Sequence, residues 1–137
     1  MSDAGLTSDN VPWKTMLERV KINGLLGMEL YVVFTSATDG MEPIRANIKE
    51  HLAYQRMLED TGVMFAAGPM AEDNGESWSG DGMVVIRADS LEQAKAIAAA
   101  DPMHISGARE YRVRPWLVNE GTISVKVGFA SGKREVL

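Results

Sequence analysis

Apolar positions recur along this chain at two spacings, about 3.6 residues and two residues, and the order in which the spacings alternate predicts the fold. Trp13, Met16, Leu17 and Val20 fall at i, i+3, i+4 and i+7, with Lys14, Glu18, Arg19 and Lys21 on other faces, so residues 11–22 read as an amphipathic helix. Asn23-Gly24 and Gly27 punctuate the chain. Leu30, Val32 and Phe34 then alternate with Glu29, Tyr31, Val33 and Thr35 as a first core strand with both faces buried. After the turn-rich segment 37–43 the helical period returns for about 15 residues or more, until Thr61-Gly62 stops it.

Residues 63–67 form a short apolar strand closed by Gly68-Pro69, and residues 83–88 a Val- and Ile-rich one preceded by Asp81-Gly82. The intervening MAEDNGESWSGDG, residues 70–82, is longer than a hairpin needs and reads as either disordered or a functional flap. Trp78 is the residue within it that has a reason to dock. Ser90 and Gln93 make a capping box that opens a second core helix through Ala100, with Leu91, Ala94, Ile97 and Ala98 as its buried stripe. Pro102 ends that helix and places Asp101 at its exit, because a residue before proline is pushed out of α geometry. Residues 110–118 alternate Tyr111, Val113 and Leu117 against Arg112, Arg114 and Trp116 as a fourth strand. Ile123, Val125, Val127 and Phe129 recur at period two and predict a fifth, added to the core sheet or to a neighbouring subunit.

The core order βαββαβ predicts an α+β fold, the ferredoxin-like plait, with an extra N-terminal helix and an extra C-terminal strand. Three segments follow: an extension at 1–27, a core domain at 28–119 and a β extension at 120–137. Both core helices cover one sheet face. The other needs a cover, with Val33, Met64 and Trp116 as its expected members, and a homodimer with sheets packed face to face supplies one.

A chain of 137 residues with 45% hydrophobic content suits a single continuous core. It has no cysteine, which excludes disulfides, thiolate nucleophiles and zinc knuckles and fits a reducing, cytoplasmic setting. The net charge of −5, with basic residues scattered among acidic ones, offers no stripe for nucleic acid. The acidic start MSDAGLTSDN lacks the pattern of an export signal, and the longest apolar stretch, 24–34, is interrupted by Glu29 and falls short of the about 20 residues that span a bilayer. A soluble protein without a membrane partner is expected.

No GxSxG elbow, phosphate-binding GxxxxGK[ST] loop, GxGxxG after a strand or HExxH helix is present. An RNA-recognition module shares the element order but stacks bases on strand aromatics, and GMVVIRA has none. The strongest chemical candidate is His51. On a helical projection Ile44, Ile48, His51, Leu52, Gln55 and Leu58 occupy one arc of about 120°. An imidazole there, with an ordinary pKa of about 6.5, can exchange protons near neutral pH, and a neighbouring Asp101 would orient it. Read from the residues alone, the same pair also fits a core histidine bonded to a carboxylate. Gln55, one turn on, is a candidate for orienting a substrate or water, whereas Tyr54 reads as packing.

His104 is a candidate polar wall of the pocket or a surface residue. With His51 and Asp101 it also forms a two-histidine, one-carboxylate set of the type that holds a divalent metal, but no dense ligand motif supports one, and no metal or cofactor is assigned. Arg112, Arg114 and Trp116 share a strand face, either as an ordinary exposed surface or as the lining of a dimer cavity that binds an anionic aromatic or carboxylate ligand.

The segments HLAYQRMLEDTGVMFAAGP, GDGMVVIRADSLEQAKAIAAADP and YRVRPW, with the acidic loop between the first two, resemble the YCII (YciI-like) family of the dimeric α+β barrel group. The resemblance runs from Leu30 to about Gly121. It implies that the family's catalytic His–Asp pair corresponds to His51 and Asp101. Some relatives are linked to dehydrochlorination of ring compounds, more distant ones to lactone isomerisation, and most have no assigned reaction. Met103-His104 departs from the pattern, since many members carry an aromatic and a small residue there. The expectation is an acid–base enzyme of the lyase, isomerase or dehalogenase type acting on a small cyclic or aromatic-derived compound, with Trp78 over its pocket. The alternative is a non-catalytic metabolite-binding or accessory module of the same fold.

Overall fold

Pairing of the alternating segments builds one four-stranded sheet, seen in a computed structural model that describes residues 9–136; the polar opening segment 1–8 and residue 137 lie outside the described residues. The strands are β1 (Met28–Ala37), β2 (Met64–Pro69), β3 (Gly82–Ile86) and β4 (Arg109–Val118), in the order β2-β3-β1-β4. β3 runs antiparallel to β1 with Val33 opposite Val84, and antiparallel to β2 with Ala67 opposite Val84. The register with β2 shifts between Met64 and Ala66, which leaves Phe65 unpaired as in a β-bulge. A helix, α2 (Glu42–Asp60), joins β1 to β2, and two more, α3 (Leu91–Ala99) and the one-turn α4 (Pro102–Ile105), join β3 to β4. This is the ferredoxin-like βαββαβ plait, with an additional N-terminal helix, α1 (Trp13–Ile22), and additional C-terminal strand structure.

Side-chain alternation decides which strand residues meet the helices. Tyr31, Val33, Val84 and Ile86 pack with Ala94 and Ala98 of α3, and Met64, Leu91, Ile97 and Val113 close around them. Val33 and Met64 therefore belong to the helix-covered face, not to the opposite face expected from sequence. The registers Val33↔Val84 and Met64↔Ile86 bring both residues to the inner side of the pleat. The opposite face is uneven, with Leu30, Val32 and Val85 buried and Arg112, Arg114 and Trp116 exposed. A second cluster, Ile44, Met103 and Ala108, fastens α2 to the turn at α4.

The described residues up to Met28 and from Leu117 onward form one compact unit, and Glu29–Trp116 another. Within the first, Val20 of α1 is buried and Gly27 has φ +52; a Cβ at Gly27 would collide with Val20 Cγ1. The expected fifth strand is shorter than its alternation suggested. β5 (Val125–Val127) pairs with a sixth strand, β6 (Arg134–Val136), in a separate two-stranded sheet, with Val125 opposite Val136. Residues 134–136 are too few to show a period, so no sequence signal marks this sixth strand.

Candidate active site

Asp101 is fixed by the proline that follows it. Held at φ −65 and ψ 128, it cannot continue α3 and instead caps α4, its Oδ1 accepting the Met103 backbone N–H at 2.9 Å. The carboxylate is buried, 4% exposed, and two further donors converge on it. His51 Nδ1 lies 2.9 Å from Oδ1 and 3.0 Å from Oδ2, and Gln55 Nε2 donates to Oδ2 at 3.2 Å. Burial alone would favour the neutral acid. The hydrogen bond from His51 and that from Met103 outweigh it and hold the Asp101 carboxyl below the usual range.

An ionised, acceptor-only carboxylate dictates the tautomer of His51, whose Nδ1–H must donate. Nε2 then carries the free lone pair. His51 sits seven residues after Ile44 and seven before Leu58, and all three are buried on one face of α2. At His51 that face opens onto a cavity of about 600 Å³, within the range of small-molecule sites. His51, Gln55, Thr35, Ala67, Trp78 and Arg109 are among its lining residues. Leu52, placed on the buried arc by projection, is 57% exposed and borders the same cavity. Tyr54 packs between helices, its hydroxyl donating to the Ile97 carbonyl at 2.6 Å.

The loop between β2 and β3 forms part of this wall and is held by its own hydrogen bonds. Met70 N–H and Trp78 Nε1–H both donate to the Asp81 carbonyl, at 3.0 and 2.7 Å, while Asp81 Oδ1 accepts the Ala37 N–H at 3.1 Å. Gly80 is buried at φ +100, and its carbonyl accepts Arg109 Nε at 2.8 Å.

The structure brings together His51, Asp101, Gln55 and Trp78 and places the remaining sequence candidates elsewhere. His104 does not line the cavity. Its Nδ1–H donates to the Ala98 carbonyl at 2.6 Å, its Nε2 lies 2.9 Å from Thr35 Oγ1, and its ring stacks on Tyr111 at 4.1 Å. Burial pushes its pKa down, so it stays neutral. With both ring nitrogens engaged it is not poised to share a metal with His51 and Asp101. Among the described residues no group of three or more potential ligands is arranged to hold a metal ion. Arg112 lies over the Phe34 ring at 4.8 Å and borders a second cavity of about 360 Å³. Arg114 and Trp116, at alternate positions on that strand face, border neither cavity.

Two lining residues escape the sequence pattern. Thr35 alternates with Val33 and is reached by extending the inner face of β1. Arg109 precedes the predicted start of the fourth strand by one residue. The period-two sequence Arg109, Tyr111, Val113 is the available signal.

Residues 28–117 match the family model of the YCII-related domain. The chain belongs to the YCII family. The YciI proteins of Escherichia coli and Shigella flexneri are 33% identical to it over 93 residues, covering 64% of this chain and 95% of theirs. YjpA of Bacillus subtilis is 29% identical over 89 residues, covering 65% and 95%. Among solved structures, 5-chloro-2-hydroxyhydroquinone dehydrochlorinase (TftG) of Burkholderia phenoliruptrix, in complex with 2,5-dihydroxybenzoquinone, superposes with a TM-score of 0.52 at 19% identity, covering 64% of this chain and 92% of that one. At that identity the likeness establishes the fold. The YCII match leaves α1 and the β5–β6 pair outside it. Among the described residues no helix is long and apolar enough to cross a membrane.

Proposed function

We propose that this YCII protein is a small-molecule enzyme of the lyase, isomerase or dehalogenase type, in which His51 exchanges a proton with a cyclic or aromatic-derived substrate and Asp101 positions it. The observation that carries this reading is the bond between His51 Nδ1 and the buried Asp101 carboxylate at a residue lining the cavity of about 600 Å³. Nε2 is the base. It takes a proton from a substrate hydroxyl or acidic carbon, and the imidazolium so formed is stabilised by the carboxylate on its other nitrogen. The electron pair released expels a leaving group in a lyase or dehalogenase, or the proton returns at a different atom in an isomerase. Gln55 keeps Asp101 in place, and Trp78 contributes a flat apolar surface to the wall.

TftG suggests the first probe. Incubation with 5-chloro-2-hydroxyhydroquinone, read as chloride release, should give turnover that His51→Ala reduces by about 100-fold or more. An unchanged rate in His51→Ala overturns the assignment. Binding of a ring compound that survives both His51→Ala and Asp101→Ala, without turnover of any probe, would instead favour a metabolite-binding module. The proposal includes a cytoplasmic address and a homodimer joined through the sheet face of Arg112, Arg114 and Trp116, and sedimentation of Trp116→Asp against the parent chain tests the dimer.

A further inference from the structure

Two arginines line the cavity, and they differ in what neutralises them. Arg56 is a surface residue paired with Glu59 and Asp60, its side chain 73% exposed, so its charge is already answered. Arg109 is 6% exposed, and among the described residues no carboxylate lies within ion-pairing distance of it. Its Nε is spent on the Gly80 carbonyl, which fixes the plane of the guanidinium. The two carboxylates whose charge it feels, Asp101 and Asp81, are committed to other donors: Asp101 to His51, Gln55 and Met103, and Asp81 to the Ala37 N–H. A guanidinium does not lose its proton in a protein, and a buried cation without a partner is costly. Its terminal nitrogens make no protein hydrogen bond among the described residues, and the residue forms part of the same cavity wall as His51.

We propose that Arg109 is the anion-binding group of this cavity, and that its ligand is a small cyclic organic anion whose planar oxyanion, a carboxylate or an ionised enol, lies on the terminal nitrogens of the guanidinium. A fork of N–H donors matches a planar oxyanion in geometry as well as charge, which a lysine would not. The inference deepens the acid–base reading and rests on it for the role of His51, because removing a proton beside an existing oxyanion builds further negative charge where Arg109 can stabilise it. The binding role of Arg109 stands or falls without turnover.

The test compares two ring compounds of similar shape, 2,5-dihydroxybenzoquinone, whose hydroxyls are vinylogous acids ionised in neutral water, and its neutral 2,5-dimethoxy analogue. Calorimetric titration of the full chain should show the anion binding at least about 10-fold tighter, the scale of a hydrogen bond to a charged group. Arg109→Gln should abolish that preference while changing affinity for the neutral analogue less than about threefold. Arg109→Lys should retain part of the preference, because it keeps charge but loses the fork. The preference in the unsubstituted chain is readable even if Arg109→Gln fails to fold. Equal affinity for the two compounds, absence of binding by either at millimolar concentration, or an equal loss of both in Arg109→Gln, as expected of a residue that only pins the loop, would overturn the proposal. Anion preference without turnover of any ring substrate would remove the acid–base reading and leave this one standing. Turnover with a preference untouched by Arg109→Gln would do the reverse.

Discussion

His51 Nδ1 and the Asp101 carboxylate, 50 positions apart in the chain, meet at 2.9 and 3.0 Å in a place where both residues are buried. The carboxylate is the shared acceptor of three donors on two elements, His51 and Gln55 of α2 and the Met103 N–H of α4. Asp101→Ala strands all three and removes the cap of α4. We expect a loss of about 2–4 kcal/mol in urea unfolding, from unsatisfied buried donors together with the lost cap. Asp101→Asn should cost less in stability yet lower turnover strongly, because an amide can present N–H rather than an acceptor to His51 and release its tautomer. A loss below about 0.5 kcal/mol for Asp101→Ala would show that the carboxylate does not organise this site.

Stability should fall on mild acidification, and His104 should account for part of the fall. Burial lowers its pKa below the ordinary 6.5, the Ala98 carbonyl and Asp101 oppose the shift, and Arg109 and His51 add to it. The unfolded chain therefore takes up a proton at a pH where the folded chain does not. The contribution is complete above 6.5 and is lost as pH falls from there toward the folded value. Asp101 acts with the same sign in a lower window. Its folded pKa lies below 3.8, so its contribution is complete above that range and disappears in stronger acid. Urea midpoints measured from pH 8 to pH 5 should fall below about pH 6.5, and His104→Gln should flatten that slope. Equal slopes in the two chains would contradict a neutral, half-buried His104.

His51 is legible in the sequence because α2 keeps its apolar period for its whole length, and Asp101 because Pro102 leaves a residue before it no helical choice. Gln55 follows from its spacing to His51. Val33 and Met64 are assigned to the wrong face because β1 is apolar on both sides; only pairing with β3 tells inside from outside. His104 and Arg109 are obscured for a related reason. The partners that define them, Thr35 at 69 positions' separation and Gly80 at 29, are tertiary; no local pattern announces a histidine turned toward the core, and the period-two spacing of Arg109 with Tyr111 and Val113 gives its strand face but not its burial.

Gly80 should tolerate no side chain. Its φ of +100 is costly for any L residue, and a Cβ would stand 3.0 Å from Ala37 Cβ and 3.3 Å from both Ile44 Cγ1 and Met41 Sδ. Gly75 in the same loop also has a positive φ, +73, but a Cβ there would meet nothing within 4 Å. Gly75→Ala should therefore cost about 1 kcal/mol from backbone strain alone, and Gly80→Ala about 2–4 kcal/mol in thermal or urea unfolding. Gly80→Ala should also raise amide exchange across residues 70–81, since the carbonyl that Arg109 grips would move. Equal costs at the two glycines would show that the contacts around Gly80 give way freely.

Trp78 should report occupancy of the cavity. The chain has three tryptophans, Trp13, Trp78 and Trp116, and Trp78 alone among them lines the cavity while remaining 39% exposed. In a Trp13→Phe, Trp116→Phe double variant the remaining indole should be quenched by 2,5-dihydroxybenzoquinone along a saturating curve, and adding Trp78→Phe should abolish that signal. Trp78→Phe in the parent chain removes the bond from Nε1 to the Asp81 carbonyl, but the Met70 N–H still satisfies that oxygen. The stability cost should therefore be about 1 kcal/mol or less. Quenching confined to Trp13 or Trp116 would place the ligand away from His51. Saturable quenching of Trp78 that weakens in Arg109→Gln would put indole, guanidinium and ligand in one site.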